Sequence, residues 1–381
     1  MPSVLLIAAL AGLAVAAPQN INAAAVSGLV TPTLLGPDVA ELTPTPIAYN
    51  PTSAARAAAA EVTANPVTPK KRSVVNLGAA SPLNGAIGKR DACDPQPNGI
   101  GPVPGKGAVA EYLDPYNALS QAAQDAATPK GYTKAFTNLQ GSTQQIGYLT
   151  FKTITSDVYD TQACADFCDN VNYCLGFNIY FERDPSVDPA AACPNPKPVT
   201  NIKCSLYGYP VIAKTATNMG QWRGPEDSTG EVFHVVIVGS NGYSKLAPTL
   251  SPTKQNNFTG PSTLLPGAIN APYDNGVDTY LGMKLYNNGP YDPFVCASAC
   301  QAQTAYDRAT AGPDGSYKPC NFFNSYILSK NGVPQGTYCS FYTRSWDEGY
   351  AVNTGYTFGS DVYTVEASFT YGLTNVDDGQ A

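Results

Sequence analysis

The chain has 381 residues, of which 13% are charged and 43% hydrophobic, with a net charge of −7, ten Cys and a single His. The length allows one to three domains. The acidic balance and the lack of a basic run argue against nucleic acid or a membrane as partner. One His leaves no His-based metal site and no Ser-His-Asp triad unless His234 alone supplies the base, and no cofactor is expected.

Residues 1–17 read as a signal peptide: an apolar run from Val4 to Val15 followed by small residues before Pro18. The run is too short for a retained membrane span. A secreted protein, held outside the cell or at the cell wall, is therefore expected, with its Cys oxidised. Residues 18–90 are rich in Ala, Pro, Thr and Val, hold one aromatic (Tyr49) and no Cys, and read as a disordered pro-region. The basic runs Lys70-Lys71-Arg72 and Lys89-Arg90 mark processing after Arg72 and Arg90 by a kexin-like protease. A mature chain from Asp91 carries 16 basic and 26 acidic side chains, a net −10.

From Asp91 a Gly/Pro-rich lead runs to Gly107, and Ala108 to Ala127 reads as short helix or irregular chain. Strand patterns follow at Ala135–Leu139 and Ile146–Ile154. Tyr159-Asp160 then opens a helix carrying Cys164 and Cys168, with Asp160 as the N-cap. Cys174–Phe181 and Cys204–Ile212 read as strands. The β-branched run Phe233–Val238 reads as the last central strand of this unit, with His234 as a structural residue. Residues 91–243 thus form a lead plus a first module. A Ser/Thr/Pro-rich linker is expected over 244–266, with a glycosylation sequon at Asn257. A second module occupies 267–374, and 375–381 is a polar tail.

The second module repeats the first. At an offset of 132, Tyr159, Asp160, Cys164 and Cys168 fall on Tyr291, Asp292, Cys296 and Cys300, and Pro293 takes the first-turn position that suits proline. At an offset of 135, Cys204, Ser205 and Tyr207 fall on Cys339, Ser340 and Tyr342. Cys at i and i+4 of one helix have Cβ atoms about 5–6 Å apart, against the roughly 3.8 Å of a disulfide, so they do not pair with each other. Each helix is therefore stapled by both its Cys to the strands. Either Cys164 joins Cys204 and Cys168 joins Cys174, or the partners are exchanged. The two Cys without a counterpart in the repeat, Cys93 and Cys193, are expected to pair and tie the mature N-terminus to the first module. Disulfides are favoured over a metal by the secreted context and the missing His ligands.

A Cys-x-x-x-Cys helix stapled to a small sheet, the following Cys174-Leu-Gly-Phe177-Asn178-Ile-Tyr180 and the closing Cys204-Ser-Leu-Tyr207 resemble the PAN/apple module over about 148–240 and 280–373. The resemblance implies nested bridges, Cys164–Cys204 with Cys168–Cys174 and Cys296–Cys339 with Cys300–Cys320. It also implies an α+β fold: two small disulfide-stapled modules, each a curled antiparallel sheet packed on one short helix. The end-joining disulfide of apple domains has no counterpart here. The layout, with Lys89-Arg90-Asp91-Ala92-Cys93 and Gly220-Gln221-Trp222-Arg223, is also similar to a group of secreted filamentous-fungal proteins.

Modules of this type mediate protein or carbohydrate contacts, so the resemblance implies a non-catalytic binding protein for a polysaccharide or an extracellular protein. Tyr180, Trp222, Tyr326 and Trp346 are the candidate ligand contacts, because flat aromatic faces suit sugar rings and interfaces. Two modules would raise avidity for a repeating wall polymer. A structural cell-wall or surface glycoprotein is the alternative. A glycan-active enzyme would have to draw on the cluster of Glu182, Arg183, Asp184 and Asp188, with two of its carboxylates brought together across a groove.

Overall fold

The computed structural model describes residues 49–67, 91–96 and 99–380, together with 26, 34–38, 44 and 47. The signal peptide and the expected processing residues Arg72 and Arg90 lie outside the described residues. The fold is α+β, with antiparallel sheets, few helices and five disulfides.

The helices are α1 (Pro51–Ala64), α2 (Val109–Leu113), α3 (Ala118–Asp125), α4 (Thr161–Asp169) and α5 (Pro293–Ala309). The first six-stranded sheet uses β1 (Tyr132–Leu139), β3 (Tyr148–Thr153), β4 (Gly176–Pro185), β5 (Pro198–Tyr207), β7 (Gly220–Arg223) and β8 (Phe233–Lys245). Its order is β3-β5-β4-β8-β1, with β7 on the other end of β8. The second uses β9 (Phe258–Thr259), β10 (Tyr280–Tyr286), β11 (Phe322–Lys330), β12 (Val333–Tyr342), β13 (Gly355–Phe358) and β14 (Asp361–Leu373). Its order is β10-β12-β11-β14-β13, with β9 on β14. The first four strands of the two orders match, and β7 and β13 take equivalent places on β8 and β14, as β1 and β9 do at the other end. A ribbon of β2 (Ser142–Thr143) and β6 (Ala216–Asn218) completes the pairing.

The conserved grammar of the two halves of the sequence has the same physical cause in each. Asp160 Oδ1 accepts from Ala163 N at 2.9 Å and caps α4; Asp292 Oδ1 accepts from Phe294 N at 2.9 Å and caps α5. The Tyr159 hydroxyl donates to the carbonyls of Ile179 (2.7 Å) and Gly239 (2.6 Å), where the β4–β8 ladder slips. The Tyr291 hydroxyl lies on Ser325 O (3.2 Å) and Ala367 O (3.1 Å), at the same slip between β11 and β14. Each slip places one residue at positive φ, Gly239 at 58° and Ala367 at 50°. Asn178 and Asn324 act as staples in the same way. Each amide donates to a neighbouring Ser hydroxyl, Ser240 or Ser368, and to one strand carbonyl, while its oxygen accepts from a backbone N–H, that of Thr143 or Ile269.

The disulfides are Cys93–Cys193, Cys164–Cys204, Cys168–Cys174, Cys296–Cys339 and Cys300–Cys320, the same pairs that the sequence and its resemblance suggest. Cys93–Cys193 ties the Gly/Pro lead down, and the lead also pairs through Gly101 with Thr200 on β5.

Three expectations are corrected. Part of 18–90 is ordered: Asn50 caps α1, Pro51 opens it, and Ala55, Ala58 and Val62 bury one face against α5. The composition misled because this helix packs through Ala, whose small side chain lets backbones approach, and not through large apolar residues. The helix layers hold more than one helix each: α2, α3 and α4 share the first sheet's core, and α1 joins α5 in the second's. Finally, 244–266 is not a free linker. Ser244 and Lys245 continue β8, Phe258 and Thr259 form β9, and Leu265 bridges Ser368. The two halves also meet directly, through residues that flank the strands: Tyr209 and Ile146 enter the second core, the Tyr209 hydroxyl is 3.3 Å from Thr337 Oγ1, and Tyr291 N donates to Gly208 O.

Candidate functional site

The four candidate aromatics do not come together, and three are buried. Tyr180 is fully enclosed, with its hydroxyl 3.5 Å from Ser205 Oγ. Tyr326 is enclosed and stacked on Tyr338, with ring centroids 4.7 Å apart. Trp346 is buried under Arg344 and donates Nε1–H to Thr279 Oγ1 at 3.1 Å. These rings follow the period of a strand or close a loop onto the core, so they are packing residues and their assignment as ligand contacts is corrected.

Trp222 is the exception, with 68% of its surface exposed. It lies on β7, a short edge strand, opposite His234 on β8. The two rings stack in parallel, with centroids 4.3 Å apart and planes 4° from parallel. The imidazole thus covers one face of the indole, and the other face is left to solvent. The strand beneath is fixed from both ends. At Gly220, φ is 111° and a side chain would collide with the Val235 carbonyl, so only glycine fits. At the other end Arg223 Nη2 pairs with Asp188 Oδ1 at 2.7 Å.

The footing of His234 is itself polar. Its carbonyl accepts from Arg183 Nη1 at 2.7 Å, and Arg183 Nε donates to Gly107 O at 2.9 Å. The Arg183 guanidinium stacks over Phe233 at 4.3 Å. Burial, and then the Arg183 charge, lowers the pKa of His234, so the neutral ring is favoured under the indole. The result is a flat platform that presents one aromatic face. Met219, also exposed, lies one residue before β7.

The acidic cluster is elsewhere and sealed. Glu182, Asp184, Lys203 and Asn201 share the other face of β4 and β5, all buried. Lys203 Nζ lies 2.6 Å from Glu182 Oε1, and Asn201 Nδ2 donates to Asp184 Oδ2 at 2.7 Å. Burial, reinforced by the Glu182 charge, holds the Asp184 carboxyl well above the usual range, so Asp184 keeps its proton. Both carboxylates are enclosed, Glu182 at 1% and Asp184 at 0% exposure. At the matching strand positions of the second sheet stand Leu328 and Tyr338, packed with Met283, Leu285 and Tyr363.

Among the described residues no group of three or more His, Cys, Asp or Glu is placed to hold a metal ion, and no helix is long and apolar enough to cross a membrane. No family model, curated protein or solved structure matches the chain. The sequence singles out Trp222 but not its partner. The missing signal was the two-strand register that sets His234 directly opposite it.

Proposed function

We propose that this is a secreted, non-catalytic binding protein built from two tandem PAN/apple-like modules, and that Trp222 of the first module is its contact with an extracellular polysaccharide. The observation that carries this reading is the indole stacked on His234 with its outer face bare. A sugar ring offers axial C–H groups to such a face, and the indole is already immobilised, so little side-chain entropy is lost on binding. The second module is a poor second site of the same kind. The residue at the Trp222 position is Thr357, paired with Val362, and Tyr326 and Trp346 are inside. The expected avidity from two like modules is therefore replaced by one site per chain. The test is retention of the secreted full chain on insoluble chitin and β-glucan, compared with Trp222→Ala.

A structural role at the cell wall or surface has its own support in Asn257. Its side chain is exposed in a turn just before β9, where a glycan meets no obstruction. Release from the wall only by glucanase or reductant supports that role; recovery of all the protein from the culture medium argues against it.

A further inference from the structure

The segment Tyr49–Val67 sits in a groove between α5 and β10 and makes a dense set of specific contacts there. Ala58 and Val62 join the core of the second sheet, and Ala54 packs against it. Glu61 Oε1 lies 3.0 Å from Lys284 Nζ, both side chains enclosed, and Lys284 also donates to Asn65 O at 2.6 Å. The Tyr49 hydroxyl donates to Asp292 Oδ2 at 2.7 Å, so it uses the free oxygen of the residue that caps α5. Gln303 brackets the backbone of Val67, accepting from its N–H at 2.9 Å and donating to its carbonyl at 3.2 Å. Val67 itself rests where Gly282 has no side chain; a Cβ there would lie 2.9 Å from that of Val67.

The first sheet shows that this groove is not required by the fold. Its counterpart of Lys284 is Lys152, which donates to Ala163 O of its own helix at 2.8 Å and needs no guest. Its counterpart of Gly282 is Thr150, and α4 has nine residues where α5 has seventeen, so the turn that carries Gln303 is absent. The second half departs from the first at the residues that touch the segment. Yet the segment contains no Cys, and both dibasic runs fall between Val67 and the first disulfide residue, Cys93. A cut after Arg72 or Arg90 would leave only non-covalent contacts.

We propose that the α5–β10 face is a peptide-binding groove for an amphipathic helix bearing an upstream Tyr and a Glu, that its ligand is the chain's own Tyr49–Val67, and that this peptide stays seated after dibasic cleavage. The mature protein is then a non-covalent complex of two chains. This rests on the processing reading of the dibasic runs and is independent of the Trp222 site. The groove uses a known mode of recognition, a helix laid along an apolar trough with polar anchors at each end, and losing one partner of the buried ion pair strands the other in low dielectric.

The experiment takes the full-length chain, tagged at the C-terminus, from a host lacking the dibasic protease, and cuts it in vitro with a Lys-Arg-specific protease. Native size exclusion is followed by a denaturing gel. The fragment ending at Arg72 is expected to co-elute with the body and to part from it only in guanidinium. Glu61→Gln is expected to speed its dissociation about tenfold or more, and Tyr49→Phe, which keeps the helix and its apolar face, severalfold. A wild-type fragment that elutes apart in native buffer overturns the groove. If no cut occurs after Arg72, the processing reading fails instead. A chain with a sequence-specific protease site in place of 69–72 then judges the groove alone by the same elution.

Discussion

Lys203 and Glu182 form an ion pair with almost no contact with water, and such a pair is seldom the cheapest way to fill a core. The second sheet has Leu328 and Tyr338 in those places, so an apolar solution is compatible with the same strand order. Lys203→Met should destabilise the protein by about 3–5 kcal/mol, because the Glu182 carboxylate is left buried and uncompensated. Glu182→Leu with Lys203→Tyr should recover at least half of that loss, as read from guanidinium midpoints at equal slope. Asp184 gives a pH signature. Its folded pKa lies above the unfolded value, so the native state binds the extra proton. The stability linked to this group is greatest at or below the ordinary Asp range, about 3.9, and falls as pH rises from there. Asp184→Asn removes the titration. It should gain stability over the parent at neutral pH, and the gap should close as the pH is lowered toward 4.

At the scale of elements, the Tyr-Asp-x-x-x-Cys stretch joins three functions in one turn of chain. The Tyr hydroxyl answers a bulge carbonyl, the Asp caps the helix, and the Cys staples that helix to the sheet. Tyr159→Phe keeps the ring and removes only the donor. It should cost about 1–3 kcal/mol, the penalty for a buried carbonyl left without its partner, measured as a drop in unfolding free energy with the disulfides intact. Much of this level was legible in the sequence, because Cys spacing, Asp-Pro caps and turn residues are local signals. The repeat offsets of the two halves gave the strand correspondence as well. Helix α1 was not legible from composition, although Asn50-Pro51 and the spacing of Ala55, Ala58 and Val62 were its signature. An Ala-faced helix acquires its stability from the surface that receives it, and that surface lies more than 200 residues further along the chain.

Across the whole molecule, one strand architecture is used twice and equipped differently. The first half keeps an exposed indole on its edge strand and closes its helix side with the chain's own lead and short helices. The second half buries Tyr326 and Trp346 and opens a groove that the N-terminal segment fills. The candidate site was only partly legible, since the sequence marks aromatic residues but not which side of a strand faces water. Tyr180, Tyr326 and Trp346 carry the same chemistry as Trp222 and differ only in placement. The central claim is that the exposed Trp222 ring binds an extracellular polysaccharide. Its most direct test is pull-down of the secreted full chain and of Trp222→Ala on insoluble chitin and β-glucan, with disulfide maps confirming both folds. Removing a stacked aromatic platform should cost about 1–3 kcal/mol, tenfold or more in retention. Equal retention of the two proteins, or none by either on any polymer, would contradict it.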